Sequence, residues 1–439
     1  MLDLVHREDG MNHSKHHPEH LRHTARLGRW LPSDPKHLNE WRKKAIETAE
    51  KKKAPFHPVV EEFRCMIEND SEMYMYFTQM FEQQLAFSPP PDSGDIKIQN
   101  YQQMLVIINH VLTSAPEFNT TAMVGCPINA ILDFPMITQA GLAVFLSPKV
   151  NAMLKKVLQV WSQYLDSPES RYVLNTSESG WLSPAALKAV HMEDFIHDPK
   201  APYFGFKSWN DFFIRQLKPG ARPVAEPDNN KVIVSACESA PFAISTNVRE
   251  CDAFWVKSQP YSLRHMLDGQ FVDEFVGGVV YQAFLSADNY HRWHSPVSGT
   301  IKKIHHVEGT YFSEARSEGF DPAGPCNSQG YIAHTAARAL VFIEADQPIG
   351  LMCLIAVGMA EVSSCIATVE ERSKVKKGEQ LGYFQFGGST HCLVFRKGVI
   401  SQFAAQAIPQ GANGTDSPVV KVNSLLAVTG PITRTGAAS

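Results

Sequence analysis

The sequence predicts an α+β protein in which a helical first third precedes a β-rich remainder. Two patterns carry this. Between about residues 37 and 165 apolar residues recur at helical spacing, whereas from about residue 229 short β-branched and aromatic runs alternate with Gly, Pro and Lys-Gly turns. The 439 residues suffice for two domains, or for one large domain with an extension.

In the first third, Trp41, Ala45, Ile46 and Ala49 share one helical face. Val59, Phe63, Met66 and Ile67, continued by Tyr76, Met80 and Phe81, mark a second long helix or a helical hairpin. A third helix fits residues 101–112. A fourth starts at Ser147-Pro148, carries Ala152, Leu154, Val157, Leu158, Val160 and Trp161, and ends around Leu165-Asp166. Residues 1–36 read as a disordered tail, with His6, His13, His16, His17, His20 and His23 set among charges and prolines; a metal-binding tail is the alternative. Farther on, residues 231–236, 278–285 and 375–384 are strand-like, and the run 349–360 reads as a buried strand.

Composition excludes several classes. A formal net charge of −4 with no basic stripe interleaved with aromatics argues against nucleic-acid partners. No run approaches the ~18 apolar residues that span a bilayer. Eight cysteines, Cys65, Cys126, Cys237, Cys251, Cys326, Cys353, Cys365 and Cys392, lack paired spacing in a sequence that reads without a secretory signal, so a soluble, cytoplasmic protein with reduced thiols is expected.

The chemistry concentrates at Phe386-Gly387-Gly388-Ser389-Thr390, a plausible self-cleavage site. Glycine puts no Cβ in the way of attack on its carbonyl and tolerates a strained turn, so the Ser389 hydroxyl can turn back on the Gly388 carbonyl and convert the peptide bond to an ester. Elimination and hydrolysis then leave a pyruvoyl ketone at position 389. Taken alone, the segment also reads as an ordinary strand–turn–strand; a nucleophile elbow is ruled out because no closing x-Gly follows Ser389.

A second motif, Asp288-Asn289-Tyr290-His291-Arg292-Trp293-His294-Ser295-Pro296, sets two imidazoles three residues apart after a strand-like run. Serine needs an adjacent base near neutral pH, and His294 or His291 can serve. As half a zinc site the pair lacks further ligands, so no metal is expected. A third motif runs from Ser208 to Pro223: Ser208 and Asp211 make a capping-box-like start, Phe212, Phe213 and Leu217 an apolar face, and Pro219-Gly220 a stop, predicting one short helix.

These three motifs, in this order, resemble the phosphatidylserine decarboxylase family of pyruvoyl enzymes, matching Asp-Phe-Phe-x-Arg-x-Leu-Lys-Pro-Gly-x-Arg-Pro, Tyr-His-x-x-His-x-Pro and Gly-Ser-Thr over residues 200–439, with Tyr261-Ser262-Leu263 as a weaker fourth point. The resemblance implies a β-rich catalytic domain of the barrel-sandwich kind over residues 176–439, cleaved between 388 and 389, behind a helical domain at 37–175. Turns such as 296–301 and 370–378 are similar to those of lipoyl-type modules, which keeps a non-processing scaffold as a second class. The family usually carries an Asp where this chain has Glu238 after the strand 231–236; Glu238 is expected to accept the same imidazole hydrogen bond.

The roles implied are Ser389 as nucleophile and pyruvoyl precursor, His294 as base, Glu238 as its orienter, and His291 for the substrate carboxylate or the returning proton. The pyruvoyl group would take the electron-sink part otherwise played by pyridoxal phosphate. The helical extension is similar to that of fungal family members that decarboxylate free amino acids. A free L-amino acid, aromatic and tryptophan-like, is therefore the expected substrate, with phosphatidylserine the alternative because no membrane anchor is evident. The small fragment 389–439 would stay as a partner, and self-association is left open.

Overall fold

The computed structural model describes residues 36–52, 54–84, 97–119, 126–252, 261–315, 328–361, 364–385, 387–411, 414 and 416–430. Residues 1–35 of the histidine-rich tail lie outside them, as does Phe386, whereas Lys36 begins the first described helix.

Among the described residues seven helices come first: α1 (Lys36–Lys52), α2 (Pro58–Glu68), α3 (Ser71–Gln83), α4 (Tyr101–Val111), α5 (Pro127–Met136), α6 (Gln139–Leu146) and α7 (Pro148–Asp166). The run from Val59 to Phe81 resolves as a hairpin. Asp70 breaks it, because its side chain caps the amides of Glu72 and Met73 and starts α3. Sequence periodicity left helices α5 and α6 unassigned; α5 is buried at every position, so it needs no polar face, while four of the eight residues of α6 are buried. Thr138 Oγ1 caps the Gly141 amide at 2.8 Å and so separates the two. Trp161 of α7 is fully buried and donates its indole N–H to the Ser114 carbonyl at 2.8 Å.

The remainder is antiparallel sheet with short helical insertions: α8 (Pro184–Ala189), α9 (Trp209–Phe213), α10 (Leu263–Met266), α11 (Val272–Phe275) and α12 (Gln329–Thr335). The strands are β1 (Val232–Val234), β2 (Ala240–Thr246), β3 (Val279–Leu285), β4 (Arg292–His294), β5 (Gly299–Val307), β6 (Arg338–Ala345), β7 (Gly350–Gly358), β8 (Ser364–Ala367), β9 (Lys374–Val375), β10 (Gln380–Gln385), β11 (Ser389–Phe395), β12 (Gln402–Phe403) and β13 (Leu425–Val428). Seven form one sheet in the order β2-β3-β11-β7-β6-β5-β9; β4-β10-β8 and β1-β13-β12 form two smaller sheets. These sheets are open, so the β region is layered and not a closed barrel.

Two cores result. One joins the helices to one face of the large sheet through residues such as Phe145, Phe312, Phe342, Cys392 and Val394. The other fills the space between the large and small sheets with Tyr281, Trp293, Phe384, Leu393 and Phe395. Strand β7 is buried at every position, as its apolar run predicted.

The helix expected over the third motif is shorter than its pattern suggested. It ends at Phe213, and the chain then extends so that Leu217 bridges to Phe195. On the non-helical backbone that follows, the Arg215 side chain turns inward over the Phe195 ring, 4.4 Å from its centroid.

Trp161→Ala should lower unfolding stability by about 3–5 kcal/mol through the cavity and the lost hydrogen bond, read from the denaturant midpoint of far-ultraviolet circular dichroism.

Candidate active site

Ser389 is the first residue of β11, the strand between β3 and β7, and faces Leu285 on one side and Gly358 on the other. Side chains alternate along a strand, so Ser389 and His391 share a face with Leu393 and Phe395, the face of the inter-sheet core. The serine is fully buried, and its Oγ has no hydrogen-bond partner among the described residues. A buried hydroxyl without a partner carries a desolvation cost, the condition of a group held for chemistry. The turn ahead of it depends on glycine: Gly387 adopts φ +120°, which side-chain-bearing residues avoid.

The second motif folds beside this turn. His291 is fully buried, its ring stacks on Phe213 with centroids 4.2 Å apart, and its Nδ1 bonds the Asn289 carbonyl at 2.9 Å. That carbonyl can only accept, so Nδ1 carries the proton and the Nε2 lone pair is left unpartnered among the described residues. Burial, aided by the Arg215 charge, drives the His291 pKa down to about 3, although the nearby carbonyls of Asn289 and Gly387 favour protonation. The ring is thus neutral at pH 7 and lies at the Gly387 turn. His294 is also held below its ordinary pKa, chiefly by burial. Its Nδ1 bonds the Gly378 carbonyl at 2.8 Å and its Nε2 meets Tyr290 Oη at 2.8 Å.

Glu238 does not make the imidazole hydrogen bond that its position suggested. Both His294 nitrogens are already engaged, and the Glu238 carboxylate is taken by the Arg222 guanidinium, which also binds Asp194 at 2.7 Å. A guanidinium offers several donors in a fixed plane and outcompetes a neutral ring for a buried carboxylate. Glu238 still reaches the histidine motif through its backbone, because its carbonyl accepts from Asn289 Nδ2 at 3.3 Å.

The third motif holds the second in place. Ser208 Oγ caps the Asp211 amide, and Phe213, at the end of this short helix, packs on His291. Arg215 donates to the carbonyls of Asp288 and Asn289 at 3.0 and 3.4 Å, and Arg292 Nε donates to the Ile214 carbonyl at 2.7 Å. Burial lowers the Arg215 pKa to about 10, and the nearby Glu238 and Asp288 oppose that shift; the group is charged at pH 7.

Sequence reasoning missed four participants. Tyr290 and Arg222 lie inside quoted motifs and could have been singled out there. Cys126 and Glu361 carry no local signal, yet the Gly388 amide donates to Cys126 Sγ at 3.3 Å and the Cys126 and Glu361 side chains interact. Among the described residues no group of three or more His, Cys, Asp or Glu side chains could hold a metal ion, and no helix is long and apolar enough to cross a membrane.

Residues 57–190 and 209–414 each match a family model described as phosphatidylserine decarboxylase. Two relatives align over most of their own length. An L-tryptophan decarboxylase of Psilocybe cubensis is 36% identical over 394 residues, covering 84% of this chain and 85% of the relative. The decarboxylase iboD of Amanita muscaria is 41% identical over 325 residues, 69% of this chain and 91% of the relative. The chain belongs to the phosphatidylserine decarboxylase family. It is a decarboxylase. The family also includes phosphatidylserine decarboxylase proenzyme 3 of Schizosaccharomyces pombe, 35% identical over 208 residues, 47% of this chain and 20% of that proenzyme.

His291, His334 and His391 all have pKa values lowered mainly by burial, to about 3, 4 and 4. Unfolded imidazoles titrate near 6.5, so below that pH the unfolded chain binds protons the folded chain refuses. The stability these three histidines contribute is fully present above about pH 6.5 and is lost as pH drops from there toward 4, seen as a Tm that decreases across a pH series.

Proposed function

We propose that the chain cuts itself between Gly388 and Ser389 and, with the pyruvoyl group so formed, decarboxylates a free L-amino acid, aromatic and tryptophan-like by preference. The observation that carries the cleavage reading is the buried Ser389 hydroxyl, without a hydrogen-bond partner among the described residues, next to a φ +120° glycine turn with a neutral imidazole at that turn.

Ser389 Oγ attacks the Gly388 carbonyl as its proton passes to an imidazole, and the Ser389 nitrogen is released as the ester forms. Loss of the Ser389 α-proton then breaks the ester, leaving Gly388 as a carboxylate and residue 389 as dehydroalanine. Water adds, ammonia leaves, and the ketone remains. His291 and His294 handle the protons: the first has an open Nε2 at the turn, the second an Nε2 that exchanges through Tyr290 Oη. Glu238, locked to Arg222, supplies fixed charge and anchors Asn289.

The pyruvoyl group supplies an electron sink for the bond to the departing carboxylate, as the family's members use it. The site fits such a group, because a small ketone at 389 occupies the space of the serine side chain and β11 fixes its position. The free-amino-acid reading draws support from relatives named for tryptophan that align through the helical region as well as the sheets, whereas the Schizosaccharomyces proenzyme aligns over only 20% of its own length.

Intact mass spectrometry of purified protein should show fragments 1–388 and 389–439, and Ser389→Ala should remain one chain with no decarboxylase activity. An active enzyme that stays uncut overturns the proposal. His291→Ala and His294→Ala should each slow the cut by about 100-fold, the typical contribution of a positioned acid or base, and the larger loss marks the direct proton acceptor.

Incubation with L-tryptophan should release its amine without added pyridoxal phosphate, and borohydride given with substrate should fix the amine to fragment 389–439. Turnover of phosphatidylserine vesicles without tryptophan turnover would replace the substrate and leave the cleavage reading standing.

A further inference from the structure

The peptide next to the scissile bond is held from an unexpected direction. Helix α5 belongs to the helical region, more than 250 residues before the cut in sequence, yet its N-cap residue Cys126 accepts the Gly388 amide proton at 3.3 Å. The thiol is completely buried, and burial together with the Glu361 carboxylate keeps it protonated. It can therefore donate its own S–H onward to Glu361.

Glu361 is completely buried just after β7, the strand beside β11. Its Oε1 accepts the Asn129 amide of the first turn of α5 at 2.8 Å, and the Ile128 amide also favours its ionised form. A carboxylate at a helix N-terminus is stabilised by the unpaired amides and the helix dipole, so Glu361 ties the end of β7 to the start of α5. The Gly388 amide thus bonds Cys126 Sγ, and the Glu361 carboxylate acts on that thiol, with its Oε2 left without a hydrogen-bond partner among the described residues and open to the S–H.

We infer that Cys126 and Glu361 are positioning residues for the cut at Gly388, and that the helical region is a working part of the maturation site. This rests on the cleavage reading above. The Cys126 contact, set by α5 and Glu361, fixes the orientation of the 387–388 peptide and with it the face that the Gly388 carbonyl presents to Ser389 Oγ.

The arrangement carries its own pH dependence. Burial outweighs the helix amides and raises the Glu361 pKa to about 7. Ionised, Glu361 accepts the thiol proton and leaves sulfur lone pairs for Gly388; protonated, it turns a donor toward sulfur and competes with Gly388 for them. The titratable side chain facing it is Cys126 of α5; Asp133, farther along that helix, is engaged by Arg42 at 3.2 Å, and the β11 side contributes the Gly388 amide. Burial moves His291 far from this range, to about 3, and lowers His294 from its ordinary value.

The test is the rate of cutting of the full chain, followed by mass spectrometry from pH 6 to 8 on freshly translated protein. Wild-type cutting should speed up as pH rises through about 7. Glu361→Gln should cut about tenfold more slowly, as loss of one charge-assisted hydrogen bond implies, and without that rise. Cys126→Ala should be slowed in the same way, while Cys126→Ser, whose hydroxyl accepts and donates as the thiol does, should recover most of the rate.

Wild-type rates and a wild-type pH profile in Glu361→Gln and Cys126→Ala would overturn the inference while leaving cleavage intact. If melting curves show Glu361→Gln to be unfolded, the contrast at position 126 decides alone, since equal rates for the Ala and Ser variants count against the relay. A wild-type chain that never cuts would remove the cleavage reading and this inference with it.

Discussion

The double pairing of β11 is the constraint on which the rest of the molecule depends. Each of its seven residues, from Ser389 to Phe395, faces a partner on β3 and another on β7. A strand bonded on both sides cannot shift register without turning its side chains to the opposite faces, so the position of Ser389 is fixed by the whole sheet and not by its own turn. The same pairing would hold a severed chain together. The segment after 388 carries β11, β12 and β13, and β13 pairs with β1, so two pieces cut there would stay joined by these strands and a shared core.

Around that strand, rigidity is assembled from buried cations. Arg215 and Arg222 lie under the histidine motif, one holding backbone carbonyls at 288 and 289 and the other locking Glu238 and Asp194. Burying a guanidinium is costly unless its donors are met, and here the requirement itself dictates geometry: the chain before His291 must present its carbonyls where Arg215 can reach them. The third motif therefore serves the second. The Phe213–His291 stack is the point where they touch, and the low dielectric it creates keeps the imidazole neutral.

The helical region and the sheets share one continuous apolar core, and polar contacts cross between them as well. Asn151 Oδ1 accepts the Tyr311 amide, and the Asn129 amide binds Glu361. Helix α5 is buried because it is wedged between the other helices and the active strand. Its burial and its contact with Gly388 have one cause.

Much was legible in the sequence. The helices at 101–112 and 148–166 announced themselves through apolar spacing and, for the second, a proline at the first turn, the run at 349–360 through continuous apolarity, and the Gly-Gly-Ser turn and His-x-x-His pair through chemistry that needs those residue types. These are local properties, encoded within a few residues of one another. Three things were not local. Glu238 was read as a partner for His294, but an arginine 16 residues earlier competes for it and wins. The helix after Ser208 was extended to Leu217, but it ends at Phe213 and Arg215 turns into the core. Cys126 and Glu361 gave no signal, since their meaning lies in which strand end and which helix start are brought together. The sequence by itself determined the most strongly patterned elements and the candidate reactive groups; only the tertiary structure decided which groups share a buried space, because desolvation and competition for hydrogen-bond partners act between residues that are distant in the chain.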